Sequence, residues 1–128
     1  MPCPCGSGEE YEVCCGPFHS GASFPPTAEK LMRSRYCAFV KREISYLKDT
    51  TWPAYQKHFD DAGYTARAET SIWIGLTVHE TGNGGEDDAR GTVTFTAKSM
   101  VNGQITEQSE KSMFKKKAGR WYYVKAVG

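Results

Sequence analysis

The chain has 128 residues, 39% of them apolar and 24% charged, which is enough for one compact domain and too few for two independently cored ones. Sixteen basic against fifteen acidic side chains leave a formal charge of +1, a balance that argues against a dedicated nucleic-acid binder. No apolar run approaches the roughly 18 residues of a membrane span, and the start, Met1-Pro2-Cys3-Pro4-Cys5, lacks the basic and hydrophobic regions of a signal peptide; the expectation is a soluble, cytoplasmic protein with no membrane contact.

Residues 1–26 are dense in Cys, Gly, Pro and Ser and show no apolar period, so something other than a hydrophobic core must order them. Four of the five cysteines fall here, as Cys3-x-Cys5 and, eight residues on, Cys14-Cys15. Two thiolates from each end of a short glycine-rich loop match the four-coordinate tetrahedral preference of Zn²⁺, and Gly6 and Gly8 let the backbone fold tightly around an ion. Disulfides are the competing reading, but neighbours such as Cys14 and Cys15 pair poorly with each other. One Zn²⁺ held by Cys3, Cys5, Cys14 and Cys15 is therefore expected. Four thiolates leave no open position for water or substrate, so the role expected of it is structural. His19, four residues after Cys15, is either a loop histidine beside the knuckle or a substitute for one thiolate.

Thr27 is placed to cap a helix running to about Lys41, with Glu29 in its first turn and Ala28, Leu31, Met32, Tyr36 and Phe39 along one side. A short helix follows from Glu43 to about Asp49, and a third starts at Pro53 and stops at Gly63. After Thr65 the period becomes two. Ile72, Ile74, Leu76 and Val78 alternate with Trp73, Gly75, Thr77 and His79, which predicts an apolar inner row and an outer row able to meet a partner or a second copy of the chain. Residues 81–91 read as an exposed connection. Val93, Phe95 and Ala97 mark the next strand, Asn102-Gly103 a tight hairpin, and Ala118-Gly119 the turn into a last strand, Arg120 to Val127. The order gives an α+β fold: N-terminal helices on one face of a curved antiparallel sheet over residues 27–128, preceded by a knuckle over 1–26.

Two features point to a pocket. Arg35 falls among the apolar side chains of the first helix, where a charge needs a partner or a ligand. Glu110 shares a strand face with Ser112 and Phe114, so an inward Phe114 brings Glu110 inward too. The expectation is an Arg35–Glu110 pair at the mouth of an apolar pocket formed partly by Tyr36, Phe39, Phe114 and Trp121. Cys37 and Arg33 project away from the apolar stripe, and Cys37 reads as an incidental small residue. No nucleotide-binding glycine loop, nucleophile elbow or paired catalytic carboxylates appear. Charge is unevenly spread: residues 1–26 sum to −3 and residues 98–128 to +5.

The run CPCGSGEEYEVCCG (residues 3–16) resembles the SEC-C zinc knuckle found at the end of the SecA translocation motor. TAEKLMRSRYCAFV (27–40), Tyr46-Leu47 and Thr51-Trp52 resemble the YchJ-like family of small bacterial proteins, as do Trp73, Gly75-Leu76-Thr77-Val78, Glu110-x-Ser112-x-Phe114 and Gly119-x-Trp121-Tyr122-Tyr123. The resemblance implies an NTF2-like cone of helices on a curved sheet and brings no defined activity. The SecA knuckle meets acidic partners such as the SecB chaperone through lysines, whereas Glu9-Glu10-Tyr11-Glu12 stands here; the charge has the wrong sign for that contact and suits a cationic partner, for which the chain's own basic last strands are one candidate. The expected function is a zinc-bearing, non-enzymatic adapter whose knuckle meets a protein partner, in secretion, chaperone or ribosome-associated work. The alternative is a small-molecule binder or enzyme using the cone.

Overall fold

Residues 2–128 are described by the computed structural model. A 3-10 turn, Tyr11–Val13, leads into α1 (Gly16–Ser20); α2 (Ala28–Lys41) and α3 (Ile44–Asp49) follow, then a 3-10 turn at Pro53–His58 and α4 (Asp61–Thr70). Four strands complete the chain: β1 (Ile72–Asn83), β2 (Arg90–Val101), β3 (Gln104–Lys117) and β4 (Arg120–Ala126), antiparallel and in sequential order. No helix among the described residues is long and apolar enough to cross a membrane.

The helix α2 organises the molecule. Thr27 Oγ1 accepts from the Lys30 N–H at 3.2 Å and caps it as expected. Ala28, Leu31, Met32 and Tyr36 pack with Val93, Phe95, Ala97, Phe114 and Trp121 of the sheet's inner face, and Ala38 joins Tyr46 and Leu47 of α3. A third side, carrying Cys37, closes on the cysteine segment. Sandwiched in this way, α2 buries eight of its 14 residues, more than a single stripe supplies. Cys37 is thus fully buried rather than incidental.

Two expectations on the elements are corrected. Gly63 does not stop a helix; it lies in the first turn of α4, where Asp60 Oδ1 accepts its N–H at 2.9 Å, and this cap starts the helix the glycine was expected to end. The two rows of β1 are also not as simple alternation suggests. Trp73 pairs with Ser99 and Gly75 with Lys98, so Ile74 is an extra residue that shifts the strand by one. Before this bulge Trp73 faces inward against Tyr36 and Phe39, with ring centroids 5.7 and 5.4 Å away, and after it Leu76 and Val78 do. Ile72 and Ile74 are left exposed. Trp73 therefore belongs to the core and not to an outer docking face, while on the outside His79 Nε2, Thr96 Oγ1 and Ser109 Oγ form a polar ladder at 2.7 Å spacings.

On β2, Val93, Phe95, Ala97 and Ser99 are buried, and the in-register partners Ser112, Glu110, Gln108 and Thr106 of β3 share that inner face. The β3–β4 turn uses left-handed backbone at Ala118 and Gly119, as the β2–β3 turn does at Asn102 and Gly103. The outer edge of β4 is closed by residues 50–52, which pair in parallel through Trp52 N–H to Tyr123 O and Tyr123 N–H to Thr50 O, both 2.8 Å. Two residues earlier on β4 the Trp121 indole donates to Pro26 O at 3.1 Å.

Candidate functional site

The knuckle is built from two tight segments facing each other. Cys3 N–H donates to Glu9 O at 2.8 Å and Gly6 N–H to Cys3 O at 3.2 Å, with Gly6 and Gly8 at φ +81° and +88°, a region that glycine enters freely. Across from this turn, the Tyr11–Val13 turn delivers Cys14 and Cys15 to the start of α1. The Sγ atoms of Cys3, Cys5, Cys14 and Cys15 all lie within 4.8 Å of one another, with Cys5–Cys14 at 3.6 Å and Cys14–Cys15 at 4.0 Å. Thiolates around one tetrahedral ion at about 2.3 Å stand about 3.8 Å apart. The four cysteines therefore fit a metal ion as a closed set, and all five cysteines of the chain are free thiols.

Cys37 belongs to the same cluster. From α2 it places its Sγ 3.8 Å from that of Cys3. One turn earlier on the helix, Arg33 donates through Nη1 to Cys5 O at 2.7 Å while its Nε pairs with Glu29 at 2.9 Å, so α2 clamps the knuckle by a backbone carbonyl and a buried thiol. In the thiol network itself, a hydrogen bond from Cys15 holds Cys5 down at about 4, burial pushes Cys3 up to about 12, and Cys15 is raised by its bonds to Cys37 and Cys5. A bound cation favours the thiolate at every ligand and removes these differences.

His19 stands outside the thiol set. Its Nε2–H donates to Ser34 O at 2.9 Å and its Nδ1 accepts from Tyr11 OH at 2.8 Å, so both ring nitrogens are occupied. Desolvation lowers its pKa, which suits this neutral tautomer. Ser34 Oγ bridges onward to Tyr46 OH at 2.7 Å, giving a buried polar chain from knuckle to α3. Basic groups meet the N-terminal segment from two sides: Arg33 and Lys41 of α2, the latter 4.4 Å from the Tyr11 ring centroid, and Arg120 of the last strand, 4.4 Å from that of Phe24.

The pocket expected from the sequence takes a different shape. Arg35, Tyr36, Phe39 and Glu110 line a cleft of about 120 Å³ between α2, α4 and the sheet, together with Tyr64, Arg67, Trp73 and Tyr123. Phe114 and Trp121 do not line it; at 0% and 1% exposure they are filled in beneath it as core. Arg35 and Glu110 share the cleft without forming an ion pair. Arg35 Nη1 donates to Leu47 O at 2.8 Å and Thr50 Oγ1 at 2.7 Å, and its guanidinium sits 4.6 Å from the Tyr123 ring centroid. Glu110 instead accepts from Ser112 Oγ at 2.8 Å and Gln108 Nε2 at 3.4 Å. The reason is reach: α3 presents its C-terminal carbonyls directly to the Arg35 head, which satisfies it before the sheet does. Tyr64 and Arg67 escape the sequence reading because the helix expected from Pro53 stops at Gly63, whereas the chain starts a separate helix, α4, at Asp61. The available signal was Asp60 three residues before that glycine.

Comparison with known proteins places both parts. The sequence profile described as the middle, NTF2-like domain of YchJ matches residues 27–126, and that of the SEC-C motif matches residues 2–17. A UPF0225 protein of Geobacter sulfurreducens is 40% identical over 126 residues, covering 98% of this chain and 78% of the relative. One from Streptomyces coelicolor is 44% identical over 122 residues, covering 95% and 91%. Among solved structures, the solution structure of a SEC-C motif containing protein from Rhodopseudomonas palustris superposes with a TM-score of 0.92 at 35% identity, covering 100% of this chain and 98% of that one. The crystal structure of another, from Psychrobacter arcticus, gives 0.85 at 29% identity, covering 97% and 80%.

Proposed function

The chain belongs to the UPF0225 family of YchJ-like proteins, an NTF2-like domain behind a SEC-C motif, and we propose that it works as a zinc-stabilised adapter rather than an enzyme, its knuckle presenting an acidic edge to a cationic protein segment. The observation that carries this reading is the closed set of four thiols beside an exposed acidic edge. Zn²⁺ suits an all-thiolate tetrahedral site without redox demands, and a site with four protein ligands supports structure rather than Lewis-acid chemistry. Free thiols throughout suit a reducing, cytoplasmic setting.

The presenting surface is the rim above the metal ligands. Glu9, Glu10 and Glu12 are exposed there, with Val13 69% exposed among them. Next to it a groove of about 440 Å³ runs between the knuckle and the first turns of α2, its walls carrying Glu9 and Glu29 together with Lys30 and Arg33, the last paired with Glu29. The three exposed carboxylates of the rim, beside the apolar Val13 side chain, fit a basic segment carrying an apolar side chain, and are repelled by the acidic surface that a lysine-bearing knuckle meets.

The test is binding of two labelled dodecapeptides, one Lys/Arg-rich and one Asp/Glu-rich, each with a central Leu, followed by fluorescence anisotropy on the metal-loaded chain. The basic peptide is expected to bind, to weaken with salt, and to lose at least tenfold in affinity for the Glu9→Lys/Glu12→Lys variant, by loss of roughly 0.7 kcal/mol or more at each rim charge. Equal binding of the two peptides, or indifference to the charge reversal, overturns the reading.

A further inference from the structure

The buried charge in the cleft lacks a counter-ion. Arg35 is 5% exposed, and the acceptors of its Nη1, Leu47 O and Thr50 Oγ1, are neutral. Among the described residues neither Arg35 nor Arg67 has a carboxylate within 4.0 Å; the latter donates to Gln108 Oε1 and lies over the Phe39 and Trp73 rings at 5.1 and 5.9 Å. Glu110, the acid of the cleft, is bonded to Ser112 and Gln108. The walls thus carry two guanidinium groups against one carboxylate and are otherwise uncharged. A buried cation without a counter-ion is costly unless something negative joins it.

The apolar part of the cleft has a definite form. Tyr36, Phe39, Tyr64 and Trp73 make a linked set of rings, Phe39 stacking on Tyr64 at 5.7 Å and 20° and meeting Trp73 at 5.4 Å. Trp73 Nε1 is buried in this wall without an acceptor. The volume of about 120 Å³ is that of a single ring or a short branched chain, since an apolar cavity of about 150 Å³ takes up benzene.

We propose that this cleft is a binding site for a small monocarboxylate with a flat or branched apolar body, the carboxylate held by Arg35 and Arg67 and the body among the rings of Tyr36, Phe39, Tyr64 and Trp73. One negative charge neutralises the excess charge of the walls, and planar recognition of a carboxylate is what guanidinium groups do best. Glu110 selects against dianions, because a second carboxylate is brought against its own charge. The site is separate from the knuckle and independent of what the knuckle binds.

The experiment uses the full metal-loaded chain and three probes of one shape: benzoate, benzamide and benzylamine, titrated with Trp fluorescence and ligand-observed NMR as readouts. Benzoate is expected to bind at least tenfold more tightly than either of the others. Arg67→Met, at an exposed position, is expected to weaken benzoate about fivefold and leave benzamide unchanged, and Arg35→Met to abolish the preference for the acid. Phthalate, the dianion, is expected to bind more weakly than benzoate. Lys115→Gln, away from the cleft, serves as the control and is expected to change nothing. Absence of benzoate binding at millimolar concentration, equal binding of benzoate and benzamide, or an acid preference that survives both arginine substitutions overturns the proposal.

Discussion

Replacing Arg35 by Met should leave the fold about as stable as it is. The substitution keeps the length and much of the apolar stem and removes a charge that is 5% exposed. What is lost is two charge-assisted hydrogen bonds, to Leu47 O and Thr50 Oγ1, and the contact with the Tyr123 ring at 4.6 Å, together about 5 kcal/mol of gross attraction. What is regained is the desolvation of a guanidinium, several kcal/mol and therefore of the same size. Desolvation also lowers the Arg35 pKa, the same cost seen from the proton's side. The acceptors are not orphaned, because Leu47 O still receives Thr51 Oγ1 at 2.9 Å and the Thr50 hydroxyl still donates to Tyr46 O at 2.7 Å. The expected change is within about 1 kcal/mol of zero, or about 4 °C in Tm for a domain of this size. Urea unfolding followed by far-UV circular dichroism, with the m-value compared between the two proteins, measures it. A loss of 3 kcal/mol or more, the cost of leaving half of a buried ion pair behind, would show that Arg35 is held by a carboxylate and would refute the case for an unbalanced charge.

Three further outcomes follow from the fold. Trp73→Ala should cost about 3 kcal/mol and Ile74→Ala less than about 1 kcal/mol, because the bulge turns Trp73 into the core and leaves Ile74 46% exposed; the reverse order in denaturant unfolding would contradict the bulge. Gly91→Ala should lose about 2–4 kcal/mol, since its Cβ would come within 2.4 Å of Gly84 Cα, whereas Gly75→Ala, with open space around it, should be near neutral; thermal melts of the pair check the contrast. His19 is held neutral by burial, with a folded pKa below the unfolded value of about 6.5. The unfolded chain then binds the proton first, so the contribution of His19 is fully present above about pH 6.5 and is lost as pH falls through the folded pKa. Urea midpoints from pH 7.5 to 5 should therefore show the wild type losing ground against His19→Gln, and a constant gap would contradict it.

The parts of this molecule that can be read from residue order are those where one local rule acts alone. The C-x-C and C-C pairs state a four-thiol site by spacing, Thr27 states a cap, and the alternation around Phe114 correctly sends Glu110 inward. What escapes is decided between elements. Ile74 looks like the core member of its strand because a bulge leaves no mark in an alternating sequence. Cys37 and Arg33 look solvent-facing because a helix packed on several sides shows only its strongest apolar stripe. Arg35 looks like the partner of Glu110 because nothing local reveals that the end of α3 arrives first with its carbonyls. Gly63 reads as a stop until the cap from Asp60 is weighed against it.

The most direct measurement is metal content per chain, by mass spectrometry of the native protein and by plasma emission, for the wild type and for single Ser replacements of all five cysteines. One Zn²⁺ per chain is predicted for the wild type and for Cys37→Ser, which lies outside the set of four mutually close thiols, with loss of the ion and of order in residues 2–26 for Cys3, Cys5, Cys14 or Cys15 replaced. A folded knuckle without metal, its five thiols freely titrating, would contradict it.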